Sequence, residues 1–172
     1  SSFAVSITEK ENDDIMQKCG PYGFDNIEFL IQANKGTELK PLAKIASGGE
    51  LSRVMLALKT VLASSDTVDT LIFDEIDTGI GGEIARAVGE HLKKLAQCKQ
   101  ILCITHQAQV AAQSDQHLLV QKQQTDPASS TIFELDEQAR ILELARMTGG
   151  IEINDTTLQH AKQLRQLKFQ AL

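Results

Sequence analysis

Two short apolar runs, each ending in residues that apolar runs rarely carry, constrain this chain most tightly. Leu71-Ile72-Phe73 ends in Asp74-Glu75, and Ile101-Leu102-Cys103-Ile104 ends in Thr105-His106. Between them Ile84, Val88, Leu92 and Leu95 recur at helical spacing. A strand, a helix and a second strand in that order predict parallel strands joined by a crossover helix, hence an α/β fold. Sheets of this kind place their chemistry beyond the carboxyl ends of the strands. Asp74, Glu75 and His106 all fall at that edge.

The flanking sequence extends the pattern on both sides. Phe3, Val5 and Ile7 alternate with polar residues, as in a half-buried strand, and Ile27 to Ala33 reads as a second strand ending near Asn34-Lys35-Gly36. With the Gly20-Pro21-Tyr22-Gly23 turn cluster and the polar connection Glu9 to Cys19, an antiparallel pair is expected. From Ser47 the period lengthens: Leu51, Val54, Met55, Leu58, Val61 and Leu62 form one helix face. After His106 the alternation continues, with a short helix from Gln107 and a strand around His117 to Gln121. A polar loop, Thr125 to Ser130 with Pro127, precedes a strand at Thr131 to Leu135. A helix from about Asp136 to Met147 is stopped by Gly149-Gly150. The last helix starts near Asn154 or Asp155 and presents Leu158, Ala161, Leu164 and Leu167; its Lys162, Arg165 and Lys168 read most simply as a solvated face, with DNA contact as the alternative.

The 172 residues suit a single domain, 1–172, divided into a β-rich entry segment (1–40), a central region (41–150) and a C-terminal helix (151–172). A hydrophobic content of 42% excludes wholesale disorder, and a net charge of −6 argues against broad, unspecific nucleic-acid binding by this chain alone. No apolar run approaches the roughly 18 residues of a membrane span, so no membrane partner is expected. The start at Ser1-Ser2-Phe3 is no signal peptide, and the missing initial Met points to a piece of something longer. Cys19, Cys98 and Cys103 are odd in number and lack C-x-x-C spacing, which fits the cytosol rather than a disulfide or zinc framework. Cys103 reads as a small buried hydrophobe.

Three stretches carry chemistry. Ser47-Gly48-Gly49-Glu50 opens a helix and matches a capping box, Ser47 capping and Glu50 reaching back. The same geometry, with two glycines exposing backbone N–H groups at a helix start, makes an anion site; the two readings are compatible. Adjacent carboxylates at a strand end point in different directions, so Asp74 suits a magnesium shell while Glu75 polarises a water; two exposed loop acids are the plainer reading. His106, leaving the same edge, is a donor to a phosphate or a polarised water, or simply an exposed histidine.

In order, Ser-Gly-Gly-Glu at a helix start, apolar-Asp-Glu and apolar-Thr-His resemble the C-terminal half of an ATP-binding-cassette head of the kind found in chromosome-maintenance and repair ATPases. The longer strings from Lys44 to Arg53, Phe73 to Gly82 and Thr105 to Ala111, together with Ala145-Arg146-Met147, are similar to the bacterial RecN family of DNA repair proteins, and the resemblance runs from about Phe24 to Gly150. It implies a signature motif at Ser47, Gly48, Gly49 and Glu50, a Walker B strand at Leu71 to Glu75 and a switch histidine at His106. Asp74 would then hold Mg²⁺ through water, Glu75 and His106 would be catalytic, and the signature with Asp77 would line the interface of ATP and a second head. Ala46 stands where cassette signatures usually carry Leu, and Gly81 where the loop after Walker B usually ends in Asp; RecN-like sequences share both departures.

No G-x-x-x-x-G-K-[ST] occurs in the chain. The resemblance accounts for this, because in the family the P-loop lies in an N-terminal lobe beyond a long coiled coil, and two heads sandwich ATP. The implied partners are that lobe, a second head and, through the whole protein, DNA. The implied setting is the bacterial cytoplasm and nucleoid, in recombinational repair and the SOS response to DNA damage. Three other readings stay open: a metal-dependent phosphohydrolase or nuclease using Asp74, Glu75, Asp77 and His106; an aspartic protease built on Asp77-Thr78-Gly79; and a non-catalytic dimerisation module.

Overall fold

The computed structural model describes residues 2–10, 19–20, 23–32, 36–44, 47–63, 65–123, 129–150 and 153–170, without the side chains of 167–170. The connection 11–18, Pro21-Tyr22, Ala33 to Lys35, Ala46, most of the loop around Pro127, and the side chains of Leu167 and Lys168 lie outside the described residues. The chain packs as two compact units, Ser1–Leu51 and Ser52–Leu172, where the sequence suggests one domain with internal divisions at 40 and 150.

In the first unit, β1 (Ser2–Glu9) pairs antiparallel with β2 (Asp25–Gln32), from Ser2 opposite Gln32 to Glu9 opposite Asp25. A two-residue β3 (Lys40–Pro41) extends the sheet from β2, followed by a 3₁₀ turn at Leu42–Lys44. The expected antiparallel pair is present, but its apolar face is not the covered one. Phe3, Val5, Ile7, Ile27 and Phe29 are exposed, and the Phe3 and Phe29 rings stack with centroids 5.7 Å apart.

Helix α1 (Gly48–Val61) leads into the second unit. There β4 (Thr70–Phe73) and β5 (Gln100–Cys103) run parallel, with Thr70 opposite Gln100 and Phe73 opposite Cys103, and α2 (Gly82–Leu95) crosses between them. This is the unit that the alternating pattern predicts. Its core joins Leu56, Phe73, Ile76, Ala85, Val88, Leu92, Leu95 and Val110, with Leu71, Ile101 and Cys103 packed against them. Burial of one such side chain stabilises by about 1.5–3 kcal/mol, so this cluster fixes where both strands end. Two helical faces differ from expectation. Ile84 is exposed and Ala85 takes the inward position on α2, one residue around the helix. On α1 the inward residue is Leu56, whereas Leu51, Met55, Val61 and Leu62 from the predicted apolar face are exposed.

Short α3 (Ala108–Ala111) follows β5. The next strands, β6 (Leu118–Gln123) and β7 (Ser129–Glu134), pair antiparallel with each other, so parallel pairing among the described residues is confined to β4 and β5. Only five residues separate β6 from β7, too few for a crossover, which leaves a hairpin. Helix α4 (Glu137–Gly149) starts where Asp136 accepts the Ala139 N–H at 2.8 Å, and runs two residues past Met147. Helix α5 (Asp155–Gln170) is opened by Asn154, whose Oδ1 accepts from Thr157 N while Thr157 Oγ1 accepts from Asn154 N. Ala108, Ala111, Ala112, Leu144, Ala145, Ala161 and Leu164 form a second core joining α3, α4 and α5.

Arg165 departs from the solvated face expected of it. It is buried, forks onto Glu137 with Nε–Oε1 at 2.8 Å and Nη2–Oε2 at 3.1 Å, and donates from Nη1 to the carbonyls of Ala112 and Ser114. Arg140, also buried, donates to the Ser114 and Asp115 carbonyls at 2.7 Å. Two guanidinium groups thus satisfy the carbonyls just past α3, in a manner a charge count cannot anticipate. Lys162 does remain exposed.

Gly89 on α2 lies against α3: a Cβ there would sit 3.1 Å from the Gln109 carbonyl oxygen and 3.3 Å from Val110 Cα. We expect Gly89→Ala to lower stability by about 1–2 kcal/mol, the crowding outweighing the helix-propensity gain of about 1 kcal/mol; urea unfolding of the two chains measures it. His117 provides a pH test. Burial, then the nearby Arg140 guanidinium, hold its ring below the ordinary value of 6.5, with Arg165 adding and Glu143 opposing. The fold accepts the neutral ring, so the unfolded chain takes the proton first. The His117 contribution to stability is therefore fully present above pH 6.5 and is lost as pH falls below it. His117→Gln should flatten the decline in unfolding free energy as pH falls below 6.5; an unchanged slope assigns that decline elsewhere.

Candidate functional site

The carboxyl end of β4 opens into a tight loop held from two sides. Asp74 Oδ1 accepts the Glu75 N–H at 2.9 Å, and the Asp74 carbonyl accepts Ser52 Oγ at 3.0 Å. Arg53 Nη1 donates to the carbonyls of Ile76 and Thr78, each at 3.1 Å. Both clamping side chains come from α1, directly after Glu50-Leu51. The sequence offers one signal for them, which is that they fall between the apolar positions Leu51 and Val54, off that stripe. Within the loop, Thr78 N bonds Glu75 O at 3.1 Å and Ile80 N bonds Asp77 O at 3.3 Å, while fully buried Ile76 anchors it to the core.

Glu75 sits at φ 56°, the only non-glycine with positive φ among the described residues. A left-handed backbone costs a residue with a Cβ about 1–2 kcal/mol, and such conformations persist where surrounding bonds enforce them. Here the Asp74 carboxylate, Ser52 and Arg53 supply those bonds. The result is an exposed Glu75 side chain beside an exposed Asp74.

The end of β5 is aligned with β4 by Ile104 N, which donates to Phe73 O at 2.9 Å. Thr105, His106 and Gln107 then wrap around one carboxylate, that of Asp77. Its Oδ2 accepts Thr105 Oγ1, His106 N at 2.9 Å and Gln107 N at 3.2 Å, and lies 3.3 Å from His106 Nδ1. Gln107 Nε2 reaches back to Ile80 O at 3.0 Å, so the loops after β4 and β5 are laced in both directions. Asp77, which the resemblance assigns to the interface of ATP and a second head, is only 1% exposed in this chain. A buried carboxylate is tolerated when donors meet it, and the 105–107 segment directs three of them to Oδ2. Committed in this way, Asp77 cannot form the shared-proton dyad of an aspartic protease. The His106 side chain, by contrast, is 68% exposed.

Cys103, beneath these loops, has its thiol pushed up to about 12 by burial, with the Asp77 and Asp74 carboxylates adding to it. It is packing, as expected, with no thiolate at neutral pH. Magnesium commonly takes one or two carboxylates, with waters and substrate phosphates completing its octahedron, and exposed Asp74 fits that donor set. Among the described residues no group of three or more His, Cys, Asp or Glu could hold a metal, so the four-residue site of a free-standing hydrolase is not assembled.

Ser47 to Glu50 lies in the first unit. The Ser47 carbonyl accepts the Leu51 N–H at 3.1 Å, placing Ser47 at the helix cap, and Glu50 stands in the first turn of a 14-residue helix. That geometry serves a cap and an anion site equally.

No protein-family model matches the chain. It is 54% identical over 163 residues to the DNA repair protein RecN of Treponema pallidum, covering 94% of this chain and 28% of that protein. To RecN of Bacillus subtilis it is 47% identical over 143 residues, 83% of this chain and 25% of the relative. Among solved structures, one described as concerning ATP-driven dimerization and DNA-stimulated activation of SMC ATPases superposes with a TM-score of 0.53 at 18% identity, covering 86% of this chain and 84% of that one. At that identity the likeness speaks for an α/β head fold. The chain spans about a quarter of the length of the curated relatives it matches, and over that span it is a RecN-type sequence.

Proposed function

We propose that this chain is the C-terminal lobe of an ATP-hydrolysing head in a RecN-type protein acting in recombinational repair of DNA double-strand breaks. One observation carries the reading: Asp74, Glu75 and His106 stand exposed at one edge of a parallel strand pair, on two loops bonded to each other. In this reading Asp74 would hold the magnesium of Mg-ATP, whose charge would offset that of the phosphates. Glu75 orients the attacking water and receives its proton, and His106 meets charge developing on the γ-phosphate. The amides of Ser47, Gly48 and Gly49, with Glu50 in the same turn, serve a nucleotide gripped by a second head.

The gripping element itself is supplied from outside this chain. A parallel strand pair needs cover on both faces. Leu71, Phe73, Ile101 and Cys103 are packed into the core, but Ile72, Leu102 and Ile104 on the opposite face are 69%, 45% and 61% exposed. An N-terminal lobe bearing a P-loop would cover them and complete the sheet. One solved structure of similar fold is described with ATP-driven dimerization and DNA-stimulated activation of SMC ATPases, and we extend both properties to the whole protein that carries this chain. Among the described residues no helix is long and apolar enough to cross a membrane; a cytoplasmic, nucleoid-associated setting is part of the proposal.

Two outcomes test this. In the whole protein, Glu75→Gln should retain ATP binding while hydrolysis falls by about 10²–10⁴-fold; turnover at the wild-type rate would remove Glu75 from the catalytic role. The 172-residue chain alone should show no tight ATP binding in calorimetry, and a strong saturating isotherm would sink the split-head account.

A further inference from the structure

The two polar contacts of the His106 ring favour one of its tautomers. Gln107 Nε2 donates to the Ile80 carbonyl at 3.0 Å, which settles the orientation of that amide, because a carbonyl oxygen accepts only from the nitrogen end. The same Nε2 lies 3.4 Å from His106 Nε2. An amide N–H facing a ring nitrogen requires that nitrogen to be an acceptor, so Nε2 of the neutral ring is unprotonated and Nδ1 bears the hydrogen. Nδ1 in turn lies 3.3 Å from Asp77 Oδ2, an acceptor. The two contacts, from opposite sides of the ring, agree on one tautomer.

The geometry points to Asp77 as a positioning residue for the reaction, acting through His106: its buried carboxylate holds the imidazole as the Nδ1–H tautomer and offers Nε2 to the nucleotide. The inference rests on the ATPase reading above only for its consequence in turnover. Asp77 suits the task because it cannot move. It is 1% exposed and is held by Thr105 Oγ1 and by the backbone N–H groups of His106 and Gln107, and the ring Nδ1 of the same histidine lies 3.3 Å from the oxygen they share. A neutral ring held this way presents a lone pair at Nε2. In the imidazolium form Nε2 would instead donate to a phosphate oxygen while Nδ1–H stays against the carboxylate. The same carboxylate lies in the loop that carries Glu75, so the two proposed catalytic side chains are set from one buried anchor.

Ring ¹⁵N–¹H correlation spectra of the 172-residue chain test the tautomer directly, with the His106 signals assigned by their loss in His106→Gln. At a pH where the ring is neutral, the wild-type chain should show a protonated Nδ1 and an acceptor Nε2, and Asp77→Asn should shift the proton towards Nε2. A wild-type ring protonated at Nε2, or a pattern unmoved by Asp77→Asn, overturns the proposal. If Asp77→Asn does not fold, the wild-type chain and Gln107→Leu decide instead: Nδ1–H in both upholds it, and Nε2–H in either overturns it. In the whole protein, Asp77→Asn should lower kcat about 10²-fold with KM for ATP changed by less than about twofold. Combined with His106→Gln it should cost no more than the worse single variant, because the two residues act as one unit. Additive losses, or an unchanged kcat, would leave Asp77 merely structural and overturn the role. A whole protein with no ATPase at all would refute the ATPase reading, while the ring spectra still decide the pairing.

Discussion

Asp77 is a carboxylate shut away from water, and a group in that position must be matched donor for donor or the fold loses several kcal/mol. All three of its hydrogen-bond donors come from residues 105–107, nearly thirty positions along the chain. The loop after β4 and the loop after β5 therefore have one relative placement that satisfies the buried charge. Everything exposed on those loops inherits it: Asp74 and Glu75 on one side, the His106 ring on the other. The Gln107 bond to Ile80 and the two Arg53 bonds to Ile76 and Thr78 close the same loop from further directions. Such redundancy is what a left-handed glutamate at Glu75 needs in order to persist.

Each of the two units leaves apolar surface open. Phe3, Val5, Ile7, Ile27 and Phe29 line one face of the first sheet, and Ile72, Leu102 and Ile104 one face of the β4–β5 pair. Leu51, Met55, Val61 and Leu62 add an open side to α1. At roughly 25 cal/mol per Å² of apolar area, surfaces of this kind are a strong drive towards association. A chain spanning about a quarter of its curated relatives would carry such faces where the rest of the protein packs.

A second set of buried charges supports the region from behind. Arg140 and Arg165 approach the carbonyls after α3 from α4 and α5, and Glu137 holds the Arg165 fork. Small side chains, Ala111, Ala112, Ala145 and Ala161, let these helices come close enough for the guanidinium groups to reach. The helix that follows the His106 loop is thus fixed at its far end as well.

Local periodicity made the β1–β2 pair, the β4–α2–β5 crossover, α4 and the start of α5 readable from the sequence, because each is decided by residues a few positions apart. So was the placing of Asp74, Glu75 and His106 at one sheet edge, which needs only the direction of two parallel strands. The outward turn of Ile84, the burial of Arg165 and the pairing of β6 with β7 depended on what lies across from each, which spacing does not encode. Asp77 shows the division most clearly. The resemblance names it as an interface residue, and only the folded chain, by bringing donors from residues 105–107 to its oxygen, makes it a buried anchor.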